Sequence, residues 1–214
     1  MSQYRGELSP KQAADGINAA RRNARRLVHD AELLFVAGRL PTAVSVAILA
    51  IEEAGKAPIL RGLLGIKDPA KLKLKWKEYR NHCSKNVLWL FPVLVEQGVR
   101  KLSGFAPLFD PKSDHPQILD NLKQVGFYTD CFNACHWSEP EAAISRDVVE
   151  SILNTAKLLS NHPEVTEREL ELWVEHVAGK AGTLAKEGLR AFYNALADEG
   201  LSYGDIDDTS AFLE

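Results

Sequence analysis

Nine consecutive residues, Ala43-Val-Ser-Val-Ala-Ile-Leu-Ala-Ile51, are apolar except for Ser45, and two glutamates follow at once. Pro41 suits the first turn of a helix, and Gly65 suits its end, so the pattern predicts one helix from Pro41 to about Leu64. A helix that is apolar on every side must be covered by neighbours on every side. Whatever else the chain does, it has to surround this segment. The stretch is far shorter than the ~20 residues needed to cross a bilayer, as is Val87–Val95 with Pro92 inside it, so no membrane span is expected.

The surrounding elements read as helices. Ser9-Pro10 caps a first helix with Ala13, Ile17, Ala20, Ala24, Leu27, Ala31 and Leu34 at three- and four-residue steps, closed by Gly38. Arg21, Arg22, Arg25 and Arg26 lie opposite that stripe and read as a solvated or phosphate-facing surface. Asp68-Pro69 caps a third helix, with Leu72, Trp76, Tyr79, Cys83, Val87 and Leu90 inward, continuing past a kink at Pro92 to about Lys101. Ser103–Pro116 reads as a long loop, Gln117–Val125 as a short helix, and Ser145–Leu159 as another helix. Residues 126–140 have no helical period and an aromatic-rich, strand-like texture. Thr166-Glu-Arg-Glu169 forms a capping-box pattern opening a last helix to about Ala197, roughly 48 Å long at 1.5 Å per residue. The expected fold is all-α: five or six helices around one core, with a long loop or strand-like insertion at about 126–140. Residues 1–198 read as one domain and 199–214 as an acidic tail.

The net charge of −3 conceals an asymmetry: residues 1–102 carry 18 Lys and Arg against 9 Asp and Glu, whereas residues 103–214 carry 8 against 20. Such halves either lie against each other, or against a second copy, or present a basic face to nucleic acid. Three cysteines are too few for a disulfide framework, and the first residues have no basic start leading into an apolar run. A reducing, cytoplasmic setting is the expectation.

Two groups of residues carry chemistry. Glu52, Lys56 and Glu53 lie about 100°, 140° and 200° round the helix from Ile51, so three charges share one face just after the apolar stretch. Pro58 cannot donate to the carbonyl of Ala54, and Gly55 loosens the same turn. On the third helix, His82 and Lys85 are i,i+3 neighbours at the core edge, with Asn81 on their side and Arg80 on the other edge. Histidine can exchange a proton near neutral pH, and lysine can stabilise an anion.

Several chemistries find no support. A di-iron carboxylate bundle needs Glu-x-x-His, which is absent, and Cys131-x3-Cys135-His136 lacks the second cysteine pair of a structural zinc site. There is no phosphate-binding Gly-x4-Gly-Lys-Ser/Thr loop, dinucleotide fingerprint or hydrolase elbow. No metal or other cofactor is expected.

Ala47-Ile-Leu-Ala-Ile-Glu-Glu-Ala-Gly-Lys56, His82-Cys-Ser-Lys85, Gly126-Phe-Tyr-Thr-Asp130 and Trp137-Ser-Glu-Pro140, in this order and spacing, resemble the AbiV family of abortive-infection proteins, part of the HEPN superfamily. The likeness runs from about Ala31 to Leu159. It implies a HEPN-like helical bundle, usually a homodimer, acting in bacterial phage defence. It carries over Glu52, Glu53, Lys56, His82, Lys85, Tyr128 and Asp130 as matching positions. HEPN toxins are commonly metal-independent ribonucleases with an Arg-x4–6-His motif; Arg80-x-His82 and Arg25-x3-His29 have shorter spacings. Three readings therefore stand. One is an RNA-cleaving or translation-arresting toxin, using His82 with Lys85, Lys56, Glu52 and Glu53. Another is a non-catalytic dimer that binds a phage or host protein, with Arg80, Asn81, Tyr128 and Asp130 as binding candidates. The third is a general RNA-binding protein.

Overall fold

The computed structural model describes residues 2–201 and Phe212. It is mostly helical. The first helix, α1 (Pro10–Val36), starts on a complete capping box: Ser9 Oγ accepts from Gln12 N, and Gln12 Oε1 accepts from Ser9 N. Gly38, at φ +72°, ends it and turns the chain within three residues into α2 (Leu40–Ala54). Ala43, Val44, Ala47, Ile48, Ala50 and Ile51 of α2 are all fully or almost fully buried, as the apolar stretch requires. Helices α1, α7 and α9 cover them.

Five segments depart from the sequence expectation: the second, third and last helices, the loop at 103–116 and the short helix after it. The helix from Pro41 does not run unbroken to Leu64. It stops at Ala54, and α3 (Lys56–Arg61) restarts beyond Gly55. The missing N–H of Pro58 falls at this junction. The third helix does not run to Lys101. It is α4 (Pro69–Arg80), capped by Asp68, and it ends because Asn81 turns extended (ψ 131°) and uses its own side chain to cap the next short helix, α5 (His82–Lys85). A 3-10 turn (Val87–Leu90) and α6 (Phe91–Glu96) follow, with Pro92 in the first turn of α6 rather than at a kink. The expected loop at 103–116 contains a 3-10 segment, Leu102–Phe109, whose Phe105 stacks on Phe91 at 4.7 Å. The helix α7 (His115–Phe127) then extends the expected one at both ends.

Residues 126–140 complete α7 and then form a small antiparallel pair, β1 (Cys131–Phe132) with β2 (His136–Trp137). Asn133 and Cys135 take positive φ values in its turn. After α8 (Pro140–Ala143) comes α9 (Arg146–Ser160). The last expected helix is two: α10 (Glu167–His176) and α11 (Thr183–Asp198), packed on each other rather than forming one long rod. Gly182 causes the break, at φ 62° and ψ −135°, a conformation open essentially to glycine alone. Thr166 caps α10 through Glu169 N, but the reciprocal half of the capping box is absent. The Glu169 side chain turns instead to Arg61.

The core has two main parts. One joins α1, α2, α7 and α9 around Ile48 and Ile51; the other joins α1, α3, α4 and α10 around Ile17, Leu63 and Leu170. Arg22, Arg25 and Arg26 of α1 are exposed, as a solvated face requires, and Arg21 is part-buried, but all four are engaged within the chain. Arg21 and Arg25 donate to the carbonyls of Pro163 and His162, Arg22 pairs with Glu164 at 2.8 Å, and Arg26 with Asp30 at 2.6 Å. Asn18 completes the clamp by bonding both the N–H and the carbonyl of Val165. Part of the charge asymmetry is thereby answered within the chain: a basic helix holds the loop before α10. Of the expected acidic tail, Glu199 pairs with Arg168 at 2.7 Å, while most of the remainder lies outside the described residues.

Candidate functional site

Where α2 leaves the core, Glu52 points inward and Glu53 does not. The Glu52 side chain is 3% exposed, and three other side chains meet its carboxylate. His82 Nδ1 lies 2.6 Å from Oε2, Lys85 Nζ 3.3 Å from the same oxygen, and Lys123 Nζ 2.6 Å from Oε1. Lys123 also bonds Asp120 at 2.6 Å. One carboxylate thus joins α2, α5 and α7.

Local geometry makes this meeting possible. The break at Gly55 lets α5 approach so closely that a Cβ on Gly55 would lie 1.9 Å from the carbonyl oxygen of Lys85. On the other side, a Cβ on Gly126 would lie 2.3 Å from Ser45 Oγ. Ser45, the single polar residue of the apolar stretch, is 3.0 Å from the carbonyls of both Pro41 and Lys123. Two glycines and a serine therefore set the spacing of the three helices.

Burial by itself would raise the pKa of Glu52. The hydrogen bonds from Lys123 and His82, with the charges of Lys123 and Lys85, outweigh it, so Glu52 titrates below the ordinary carboxylate range. Burial likewise pulls Lys123 down, but hydrogen bonds to Asp120 and Glu52 and their charges leave it above the ordinary lysine value. The cluster thus contains two carboxylates and two ammoniums in charge balance, with the imidazole at its rim.

His82 is the outward member, with 55% of its side chain exposed. Because Nδ1 is engaged by a buried acceptor, Nε2 is the nitrogen that a ligand can reach. A carboxylate on Nδ1 favours the tautomer with hydrogen there and orients the ring, the arrangement used in general acid–base catalysis.

The other expected residues are placed differently. Lys56 does not join His82 and Lys85: it pairs with Glu53 at 2.5 Å and stands 5.5 Å over the ring of Tyr79. Glu53 and Lys56 form their own part-buried pair. Arg80 stacks on Trp76 and donates to the carbonyls of Trp76 and Tyr4, so it fastens the N-terminal segment to α4. The Asn81 side chain is occupied in capping α5 through Ser84 N. Tyr128 and Asp130 line a separate hollow of about 420 Å³ between α7 and the small hairpin. Two residues of the cluster, Asp120 and Lys123, were not expected. Their signal was available: Leu119, Lys123 and Gly126 follow at helical spacing on the inward face of α7, and a lysine in an apolar stripe needs a buried anion.

Glu52, His82 and Asp120 bring three potential ligand atoms within 4.8 Å of one another. The donor set does not suit a divalent ion, because Lys123 Nζ already stands 2.6 Å from both carboxylates and would have to be expelled. Among the described residues no helix is long and apolar enough to cross a membrane.

A family model described as AbiV, of the HEPN class, matches residues 12–161, a span that contains every member of the cluster. Nothing matches among curated proteins or among solved structures.

Proposed function

Since the chain belongs to the AbiV family of HEPN proteins, we propose that it acts in abortive infection as a phage-defence protein, and that His82 is the acid–base group of a metal-independent RNA cleavage. The observation carrying this reading is the exposed imidazole held at Nδ1 by a buried, ionised glutamate. In the cleavage step, neutral His82 accepts the proton of a 2′-hydroxyl at Nε2 while that oxygen attacks the adjacent phosphorus. Alternatively, protonated His82 gives a proton to the departing 5′-oxygen. Either way water handles the other proton, the P–O5′ bond breaks as the P–O2′ bond forms, and the products are a 2′,3′-cyclic phosphate and a 5′-hydroxyl. Glu52 orients the ring, and Lys85 and Lys123 are positioning residues that keep Glu52 ionised. In this reading neither Lys85 nor Lys56 supplies charge to the phosphate, since each is committed to a glutamate. That charge would come from a second copy, in keeping with the homodimer expected of the family.

The test is incubation of purified protein with total RNA in chelator. Wild type should cleave, and His82→Ala should lose about 10²-fold or more of the rate. Absence of cleavage by wild type, or equal cleavage by the variant, overturns this reading.

A second reading has its own support: the internally neutralised cluster, and the large exposed aromatics Tyr128 and Trp137 beside the hollow at the end of α7. In this reading the protein binds a phage or host protein there and does not cleave RNA. Phage plating separates the two. Loss of defence in Tyr128→Ala and Trp137→Ala, with His82→Ala still protective, favours partner binding.

A further inference from the structure

The small hairpin between α7 and α8 carries two of the three cysteines of the chain, and both are exposed. Cys131 pairs with Trp137 across the ladder, and Phe132 pairs with His136. Cys135, two residues before Trp137, stands diagonal to Cys131 across the turn, a separation that side chains can bridge. The two thiols hydrogen-bond to each other. Cys83 is elsewhere and has its own acceptor, Gln117 Oε1 at 3.3 Å.

The hairpin is built to hold this meeting. At its open end Asp130 N donates to Ser138 Oγ at 2.9 Å, and Ser138 N donates to the Asp130 carbonyl at 2.7 Å. At its tip Asn133 and Cys135 take left-handed backbone, at φ 47° and 66°. Asparagine adopts that conformation readily, whereas a cysteine held there is uncommon and turns its thiol back on Cys131. The hydrogen bond with Cys135, then lost hydration and the charge of Asp130, hold the Cys131 thiol above its ordinary value. Cys131 therefore keeps its proton while Cys135 meets an incoming reagent. His136 adjoins the pair in sequence, but among the described residues no third ligand atom joins the two sulfurs within 4.8 Å. The arrangement suits a bond between the sulfurs better than a shared metal.

We propose that Cys131 and Cys135 form a reversible dithiol–disulfide site, oxidised by a low-molecular-weight disulfide. The Cys135 sulfur attacks one sulfur of that reagent, giving a mixed disulfide and a first small thiol, which takes up the Cys135 proton through water. Cys131 then attacks Cys135 Sγ, the mixed S–S bond breaks, and the departing sulfur takes the Cys131 proton. Two protein thiols are oxidised to one disulfide, and the reagent is reduced to two thiols. The sulfurs move only from contact to about 2 Å. The bond closes the turn whose flanks carry Asp130 and Ser138 to the rim of the 420 Å³ hollow, so thiol state sets the shape of that rim. The site depends neither on RNA cleavage at His82 nor on a partner at the hollow.

Equilibrating the full chain with mixtures of oxidised and reduced glutathione, then alkylating and digesting with trypsin, tests it by mass spectrometry. Residues 124–146 form one tryptic peptide holding both cysteines. In wild type this peptide should lose two hydrogens, keep no glutathione and regain both thiols on reduction. Cys131→Ser should trap glutathione on Cys135, and Cys135→Ser should react about tenfold more slowly than wild type. Cys83→Ser should match wild type. At the same glutathione ratio, the chain unfolded in urea should hold the internal bond about tenfold less, because only the fold aligns the thiols. The inference is overturned if wild type keeps both thiols in millimolar oxidised glutathione, if it accumulates the mixed disulfide instead, or if the unfolded chain closes the bond equally well.

Discussion

Glu52 holds two ammoniums and an imidazole, so substitutions there separate charge from shape. Glu52→Gln keeps the volume but leaves Lys85 and part of the demand of Lys123 uncompensated. Breaking a buried pair in this way costs about 3 kcal/mol. For a chain of this size that lowers the melting temperature by roughly 6–12 °C. The pH dependence has a definite sign. The folded pKa of Glu52 is depressed, so its contribution is present above the unfolded value, about 4.3, and disappears as pH falls through the folded value. The gap between wild type and Glu52→Gln should therefore close in acid, which urea titrations at pH 3 and pH 7 can check. A gap that persists unchanged at pH 3 would contradict the ionised cluster. The sequence disclosed this residue and two of its partners, because charge directly after an all-apolar helix needs compensation. It disclosed Lys123 only to a reader asking why a lysine occupies the inward face of α7. It could not distinguish Glu52 from Glu53, which neighbour each other on one helix face yet belong to separate pairs.

The helices were legible in kind and in approximate position, their interruptions less so. Periodicity identifies α1 and α9 almost to their ends and α2 at its start, though not its stop at Ala54. It fails at Asn81, where a side chain caps the following helix instead of continuing the first, and at Gly182, whose backbone conformation no apolar pattern encodes. Gly55 offers a sharp check on the observed break. In an ordinary helix, alanine is more stable than glycine by about 1 kcal/mol. Here a Cβ would collide with the Lys85 backbone, so Gly55→Ala should destabilise by about 1–3 kcal/mol. Gly126→Ala should act in the same direction through Ser45 and the Pro41 carbonyl. Denaturant melts decide, and a stabilised Gly55→Ala would mean that α2 and α3 do not meet α5 as described.

Protection should be uneven across the chain. Helix α2 has neighbours on all sides, while residues 87–104 contain no fully buried side chain and consist of short, part-exposed turns. Hydrogen exchange should therefore be slowest in Leu40–Ala54 and markedly faster from Val87 to Gly104. Equal rates in the two segments would show that the second is held by something beyond its visible packing. The charge asymmetry, read from composition as a choice between internal pairing and nucleic acid, is partly resolved by the α1 clamp on residues 162–165. The exposed pair Arg22–Glu164 contributes little to it, so Arg22→Ala should change stability by less than about 1 kcal/mol, measurable in the same melts.

The three-residue join between α1 and α2 also bears on the order in which the chain assembles. These two helices share the most extensive helix–helix contact and are adjacent in sequence, so little loop-closure entropy opposes their pairing. The expected sequence is an early hairpin of α1 and α2 with Glu52 still hydrated, followed by late arrival of α5 and α7, which strips that water and locks the imidazole in place. Kinetic φ-values near one at Ile48 and near zero at Lys123 would trace this route, making the His82 arrangement the last part of the molecule to mature.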